Sequence, residues 1–187
     1  MQSSPPLRSL KKRRVIAAAL SSAFLSLAAE AGVPPRPGTV LTPRIEEPEV
    51  IDIDRVINHA AREHGVSREL IRAIIETESE FDPLAISSRG ACGLMQLMPG
   101  TVRRFGVADC FDVRENVAAG TRLLKGLLIR YRGSIALSVA AYNAGEGAVA
   151  RHGGIPPYRQ TRAYVRRVQA LLVSVSDQRS GRPIAAM

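Results

Sequence analysis

The chain has 187 residues, 45% of them apolar, with four Phe, four Tyr and no Trp. That is one domain's worth of chain, and it excludes a core built on aromatic rings. The formal charge is +9, but residues 1–31 hold five basic side chains against Glu30, which leaves 21 basic and 16 acidic groups, or +5, for the rest; this surplus suits an anionic polymer as partner and is weak support for one.

Residues 1–31 read as a signal peptide. A basic start (Arg8, Lys11 to Arg14) precedes an uncharged apolar run from Val15 to Ala29, and Ala29-Glu30-Ala31 has the small-x-small pattern of a cleavage site, predicting a cut after Ala31 and a periplasmic or secreted product. Fifteen residues are short for a membrane span. An uncleaved N-terminal anchor is the alternative; with no cysteine near the cut, no lipid anchor is expected. Residues 32–51 carry Pro34, Pro35, Pro37, Pro43 and Pro48 with little periodicity, which predicts an extended linker. Helical spacing begins near Asp52 with Ile53, Val56, Ile57, Ala60 and His64 on one side, and stops at Gly65.

Gly65-Val66-Ser67 turns the chain into a second helix, with Ser67 placed to cap it and Pro83 to stop it. Leu70, Ile71, Ile74 and Ile75 form one face, and at about 100° per residue Glu78 falls within that stripe while Glu69, Glu76 and Glu80 fall opposite. A carboxyl group against aliphatic surface is poorly hydrated when charged, so its pKa rises towards the range of a general acid. On the helix wheel alone, Glu78 either plays that part or reaches solvent at the helix end. The two helices also look like a helix-turn-helix, yet the outer face carries Glu69, Glu76 and Glu80, which repel phosphate; no nucleic-acid partner is expected.

Beyond Pro99, residues 100–105 form a short helix ended by Gly106. The longest helical pattern runs from Asn116 to Tyr131, with Val117, Leu123, Leu124, Leu127, Leu128 and Tyr131 inward and Gly133 closing it. Ser134 caps the next, with Ile135, Val139 and Tyr142 at helical intervals; Gly and Pro residues then surround one short helix. The last helix spans about 161–173, and 174–187 reads as a flexible tail. With no strand alternation of useful length, the fold class is all-α, and 52–173 form the folded domain.

Four blocks stand in order along that domain: Glu78-Ser79; Gly93-Leu94-Met95-Gln96; Ala140-Ala141-Tyr142-Asn143-Ala144-Gly145; and Tyr164-Val165 after Gln160-Thr161. Together they resemble the soluble-type (SLT) lytic transglycosylase catalytic domain of the goose-type-lysozyme-like superfamily, over roughly residues 53–172. The resemblance implies a lysozyme-like helical domain with a substrate groove, peptidoglycan glycan strands as partner and no cofactor. It implies that Glu78 protonates the oxygen between N-acetylmuramic acid and N-acetylglucosamine, then takes the proton of the muramoyl C6 hydroxyl as that oxygen attacks C1, leaving a 1,6-anhydro end. Most glycosidases need two carboxylates, and only Glu78 is well placed here; Asp82 precedes Pro83 and more simply turns the chain.

Ser87, Gly93, Met95 and Gln96 match family positions near the acid and the sugar. Gly93 would permit close backbone approach, Met95 apolar contact or core filling, and Gln96 hydrogen bonds. Tyr142 and Asn143 match the block that orients the acid and contacts the acetamido group, and Tyr164 the closing tyrosine. Gln160 departs from the family's usual glutamate, a change expected to alter pH profile or rate without abolishing activity. Cys92 and Cys110, the only cysteines, suggest a disulfide in an exported protein, with two separate thiols as the alternative; closing the loop would contribute ~3 kcal/mol. His59, His64 and His152 lack metal-ligand spacing, so no metal is expected. The competing functions are a muramidase on the same scaffold, with water as acceptor, and a catalytically silent glycan-binding protein of a secretion apparatus.

Overall fold

A computed structural model describes the backbone of residues 14–16 and 50–180 and the side chains of residues 51–174. The leader and the linker therefore lie outside the described residues, apart from Arg14–Ile16 and the last two positions before Asp52. Those pieces form a short antiparallel pair: β1 (Arg14–Ile16) lies beside β2 (Val50–Asp52), with Val15 opposite Ile51. Strands of three residues are too short for alternation to reveal. Everything else regular among the described residues is helical.

Helix α1 (Ile53–His64) starts where Asp52 Oδ1 accepts the amide of Asp54 at 3.0 Å and ends at Gly65, whose φ of 60° reverses the chain. Helix α2 (Arg68–Ser79) is capped by Ser67, whose Oγ accepts the Leu70 amide at 3.3 Å. It stops four residues before Pro83, because Glu80 and Phe81 both take left-handed backbone (φ 53° and 68°). Two such residues in succession cost on the order of 1 kcal/mol each. The Arg72 guanidinium, 4.7 Å from the Phe81 ring centre, helps hold the reversal.

Helix α3 (Pro99–Phe105) has its proline at the first position and Gly106 after the last. Helix α4 (Val113–Arg130) begins three residues before the expected Asn116. The cause is local: the Asp112 side chain accepts the Glu115 amide at 2.8 Å, while Glu115 Oε2 turns back to accept the Ala108 amide at 2.6 Å. Helix α5 (Ile135–Ala144) follows its Ser134 cap, but Ile135 is 41% exposed and does not join the core. Helix α6 (Glu146–Arg151) is one short piece, and α7 (Arg159–Ser180) runs past the expected end at Val173, so the segment read as a loose tail is helical as far as Ser180.

Burial of aliphatic faces decides the arrangement. Helix α4 packs on α1, α3 and α5, and α7 packs on α2 and α5, around Ile57, Ile74, Leu94, Leu124, Val139 and Val168. This brings the end of α2, the loop of residues 82–98, the end of α5 and the start of α7 together. Among the described residues no helix is long and apolar enough to cross a membrane.

Candidate active site

Glu78 occupies the last turn of α2, where the left-handed pair that follows ends the helix abruptly. Its carboxyl is partly buried, and Tyr164 of α7 donates its hydroxyl to Glu78 Oε1 at 2.7 Å. Burial pushes the Glu78 pKa up from 4.5 to about 7, against the opposing pull of the Tyr164 hydrogen bond and of the positive charge on Arg89. The group therefore sits near half-protonation at neutral pH, suited to both giving and taking a proton. The nearby carboxylates are otherwise engaged: Glu80 pairs with Arg167 at 3.4 Å, and Asp82 accepts the Leu84 amide at 2.9 Å in a turn.

Burial and the adjacent Glu78 raise the hydroxyls of both Tyr142 and Tyr164 well above their ordinary value, so each is a neutral donor. Tyr142 donates to the Met95 carbonyl at 2.9 Å, joining α5 to the Gly93-to-Gln96 loop. The Met95 side chain is not available to a sugar: it is 0% exposed and fills the space over Gly120, where a β-carbon would strike its Sδ and Cβ. Gly93 likewise meets protein. Its φ is 75°, and a β-carbon there would strike the Asn116 amide and the Cys110 carbonyl. Both residues shape the loop from inside.

Asn116, 1% exposed, organises that interior. Its Oδ1 accepts the Met95 amide at 2.8 Å, and its Nδ2 donates to the carbonyls of Cys92 (3.0 Å) and Cys110 (2.8 Å). Cys92 and Cys110 are disulfide-bonded across a Cα separation of 6.0 Å, tying the same loop to the segment before α4. Ser79, next to Glu78, donates its hydroxyl to the Leu94 carbonyl at 2.8 Å. Sequence reasoning named Ser79 only within the Glu78-Ser79 block and Asn116 only as a helix start, and gave neither a role. Their signals were a serine beside the acid and a lone amide on the apolar face of α4.

Ser87 accepts the Ala91 amide at 3.0 Å on its Oγ and closes a tight loop that ends beside Cys92. Gln96, at φ 48°, spends its amide hydrogens on the carbonyls of Ala85 and Gly93, both at 3.0 Å. Asn143 accepts the Thr161 hydroxyl at 2.9 Å, which fixes the amide orientation and leaves Nδ2 without a protein partner among the described residues. Thr161 is thus a further orienting residue, buried at 3% exposure. Gln160, one position earlier, is exposed, and its side chain makes no hydrogen bond among the described residues. Among the described residues no group of three or more His, Cys, Asp or Glu is gathered to hold a metal ion.

The family model described as the transglycosylase SLT domain matches residues 55–165. Among curated proteins, the chain is 38% identical over 116 residues to the membrane-bound lytic murein transglycosylase F of Desulfosudis oleivorans, a match covering 56% of this chain and 26% of that protein. It is 36% identical over 89 residues to the transglycosylase of Enterobacteria phage PRD1, covering 48% and 33%. The match thus spans about a quarter to a third of these relatives. Among solved structures, an inactive mutant of the lytic transglycosylase Slt from Pseudomonas aeruginosa superposes with a TM-score of 0.60 at 31% identity, over 69% of this chain and 24% of that one. The 70 kDa soluble lytic transglycosylase from Escherichia coli gives 0.59 at 26% identity, over 69% and 24%. The fold is the all-α, lysozyme-like one that the four sequence blocks implied.

Proposed function

Since this chain belongs to the transglycosylase SLT domain family, we propose that it cleaves peptidoglycan glycan strands at the N-acetylmuramic acid to N-acetylglucosamine bond, using Glu78 as the only proton carrier. The observation that carries this reading is the partly buried Glu78, its pKa raised by burial to about 7, held by the Tyr164 hydroxyl at 2.7 Å. In the first step Glu78 gives its proton to the linking oxygen as the C1 to oxygen bond breaks. Ionised Glu78 is then stabilised by Tyr164 and by the positive field of Arg89.

In the second step the muramoyl C6 oxygen bonds to C1 and its proton passes to Glu78, which ends the cycle protonated as it began. No water is consumed, and the product end is a 1,6-anhydro ring. The engagement of Glu80 and Asp82 elsewhere supports a mechanism with an internal nucleophile rather than a second carboxylate. Asn143, whose Nδ2 has no protein partner among the described residues, is suited to hold the substrate acetamido carbonyl while the positive charge develops at C1. Ser87 and Gln96 act mainly by shaping the loop that faces the acid. The same reading puts the site of action in the cell envelope, reached through a leader cut after Ala31.

Digestion of purified sacculi followed by mass spectrometry tests the reaction. Fragments ending in the anhydro sugar support it. Fragments one water heavier, with reducing ends, would assign a muramidase instead, and an intact sacculus after prolonged incubation would leave a binding protein.

A further inference from the structure

Away from Glu78, a cleft of about 440 Å³ lies between α3, α4 and the start of α6, with Arg104, Phe105, Arg122, Gly126, Arg130 and Glu146 among its walls. Arg130 is neutralised by Glu146 at 2.8 Å. Arg104 and Arg122 have no carboxylate partner among the described residues. Both guanidiniums lie instead against the Phe105 ring, 5.3 and 5.2 Å from its centre. Two like charges so gathered are favourable when an anion sits between them. The floor is equally unusual: Gly126 lies inside an 18-residue helix, where glycine is a poor choice, yet its β-carbon position has no neighbour within 4 Å. Nothing in the protein requires that space, and a side chain there would narrow the cleft.

The cleft is continuous in chain with the active site. Helix α3, about 10 Å long, connects the end of the Gly93-to-Met98 loop to Phe105, and Glu146 follows the Tyr142-to-Gly145 block directly. The peptide branches of peptidoglycan strands end in carboxylates, the anionic groups that two guanidiniums gathered on one ring would take. We infer that the Arg104–Phe105–Arg122 cleft is a binding site for the carboxylates of the peptide stems borne by the glycan substrate. The inference rests on the proposed reading of Glu78, and it adds a determinant that selects peptide-bearing strands over bare ones.

The test compares the full chain with an Arg104→Gln/Arg122→Gln double variant and with Gly126→Leu, on peptide-bearing strands and on the same strands stripped by an amidase. All changed positions are exposed or open, so the fold should persist, and circular dichroism checks it. Each variant is expected to raise KM on peptide-bearing strands by roughly 3- to 30-fold, the scale of two exposed charge-assisted contacts, with kcat and all bare-strand kinetics unchanged. Equal losses on both substrates, or none on either, overturn the inference. A second arm measures calorimetric binding of a free stem tetrapeptide to Glu78→Gln protein, with and without the double substitution; loss of binding supports the site even if no substrate is cleaved. Inorganic phosphate binding as tightly as the tetrapeptide, with the same dependence on the two arginines, overturns the peptide assignment.

Discussion

In the proposed reaction Glu78 faces two opposed demands, because the burial that suits it to donate a proton also makes its ionised form unfavourable to the fold. Its pKa is about 7 in the folded chain against 4.5 ordinarily, so the folded state binds the proton more tightly. The associated stability is fully present below about pH 4.5, is lost as pH rises towards about 7, and is gone above it. The full loss is on the order of 2–3 kcal/mol. Glu78→Gln should therefore cut turnover of sacculi by about 10²- to 10⁴-fold while unfolding at higher denaturant than the parent at pH 8 and at a similar concentration at pH 4. Equal midpoints at pH 8 would mean that burial is not what raises the pKa. Tyr164→Phe removes the donor that favours the ionised carboxyl; its pH–rate profile should keep its shape but lose activity at a higher pH than the parent, since the proton is then held longer.

At the scale of elements, the loop from Cys92 to Gln96 behaves as a part held from three sides: by the disulfide, by Asn116 and by Tyr142. Asn116→Ala would leave the Met95 amide and the carbonyls of Cys92 and Cys110 unpaired inside the protein. The expected cost is about 2–4 kcal/mol, read as a lower unfolding midpoint, with activity falling further than stability alone would dictate. Helix positions were legible because aliphatic spacing and caps are local: Ser67, Gly106 and Ser134 act where the chain pattern puts them. The start of α4 was not, since the Asp112 and Glu115 caps lie within a run rich in turn residues. The helix wheel left Glu78 open between a general acid and a solvent-reaching helix end, and the motif blocks singled out Glu78, Tyr142 and Tyr164 together. Asn116, Ser79 and Thr161 were hidden because each acts on backbone or side chains brought close only by folding, 15 to 24 residues away in the chain. Met95 was read as apolar contact or core filling and Gly93 as a point of close backbone approach; in the fold Met95 fills the core over Gly120, and Gly93 lies against Asn116 and the Cys110 carbonyl.

For the molecule as a whole, charge is the long-range variable. With a formal +9, and +5 beyond residue 31, attraction to the proposed anionic wall polymer would act over a distance that salt shortens to about 10 Å at 0.1 M. Apparent KM on sacculi is expected to rise several-fold between low and 0.3 M salt, with kcat nearly constant. A parallel fall in kcat would point to disturbance of the Glu78 and Arg89 pair instead. Neither the cleft by Phe105 nor its open floor at Gly126 was visible in the sequence, where no pattern set Arg104 and Arg122 apart.

The hydrogen bond between Tyr164 and Glu78 spans 86 positions of the chain. It can form only once α7 has docked on α2 and α5, so the carboxyl and its partner meet only in the assembled domain. A chain without that docking would carry every group the proposed reaction uses and lack the contact that joins two of them. Loss of lytic activity on heating should accordingly keep step with undocking of that final helix rather than precede it.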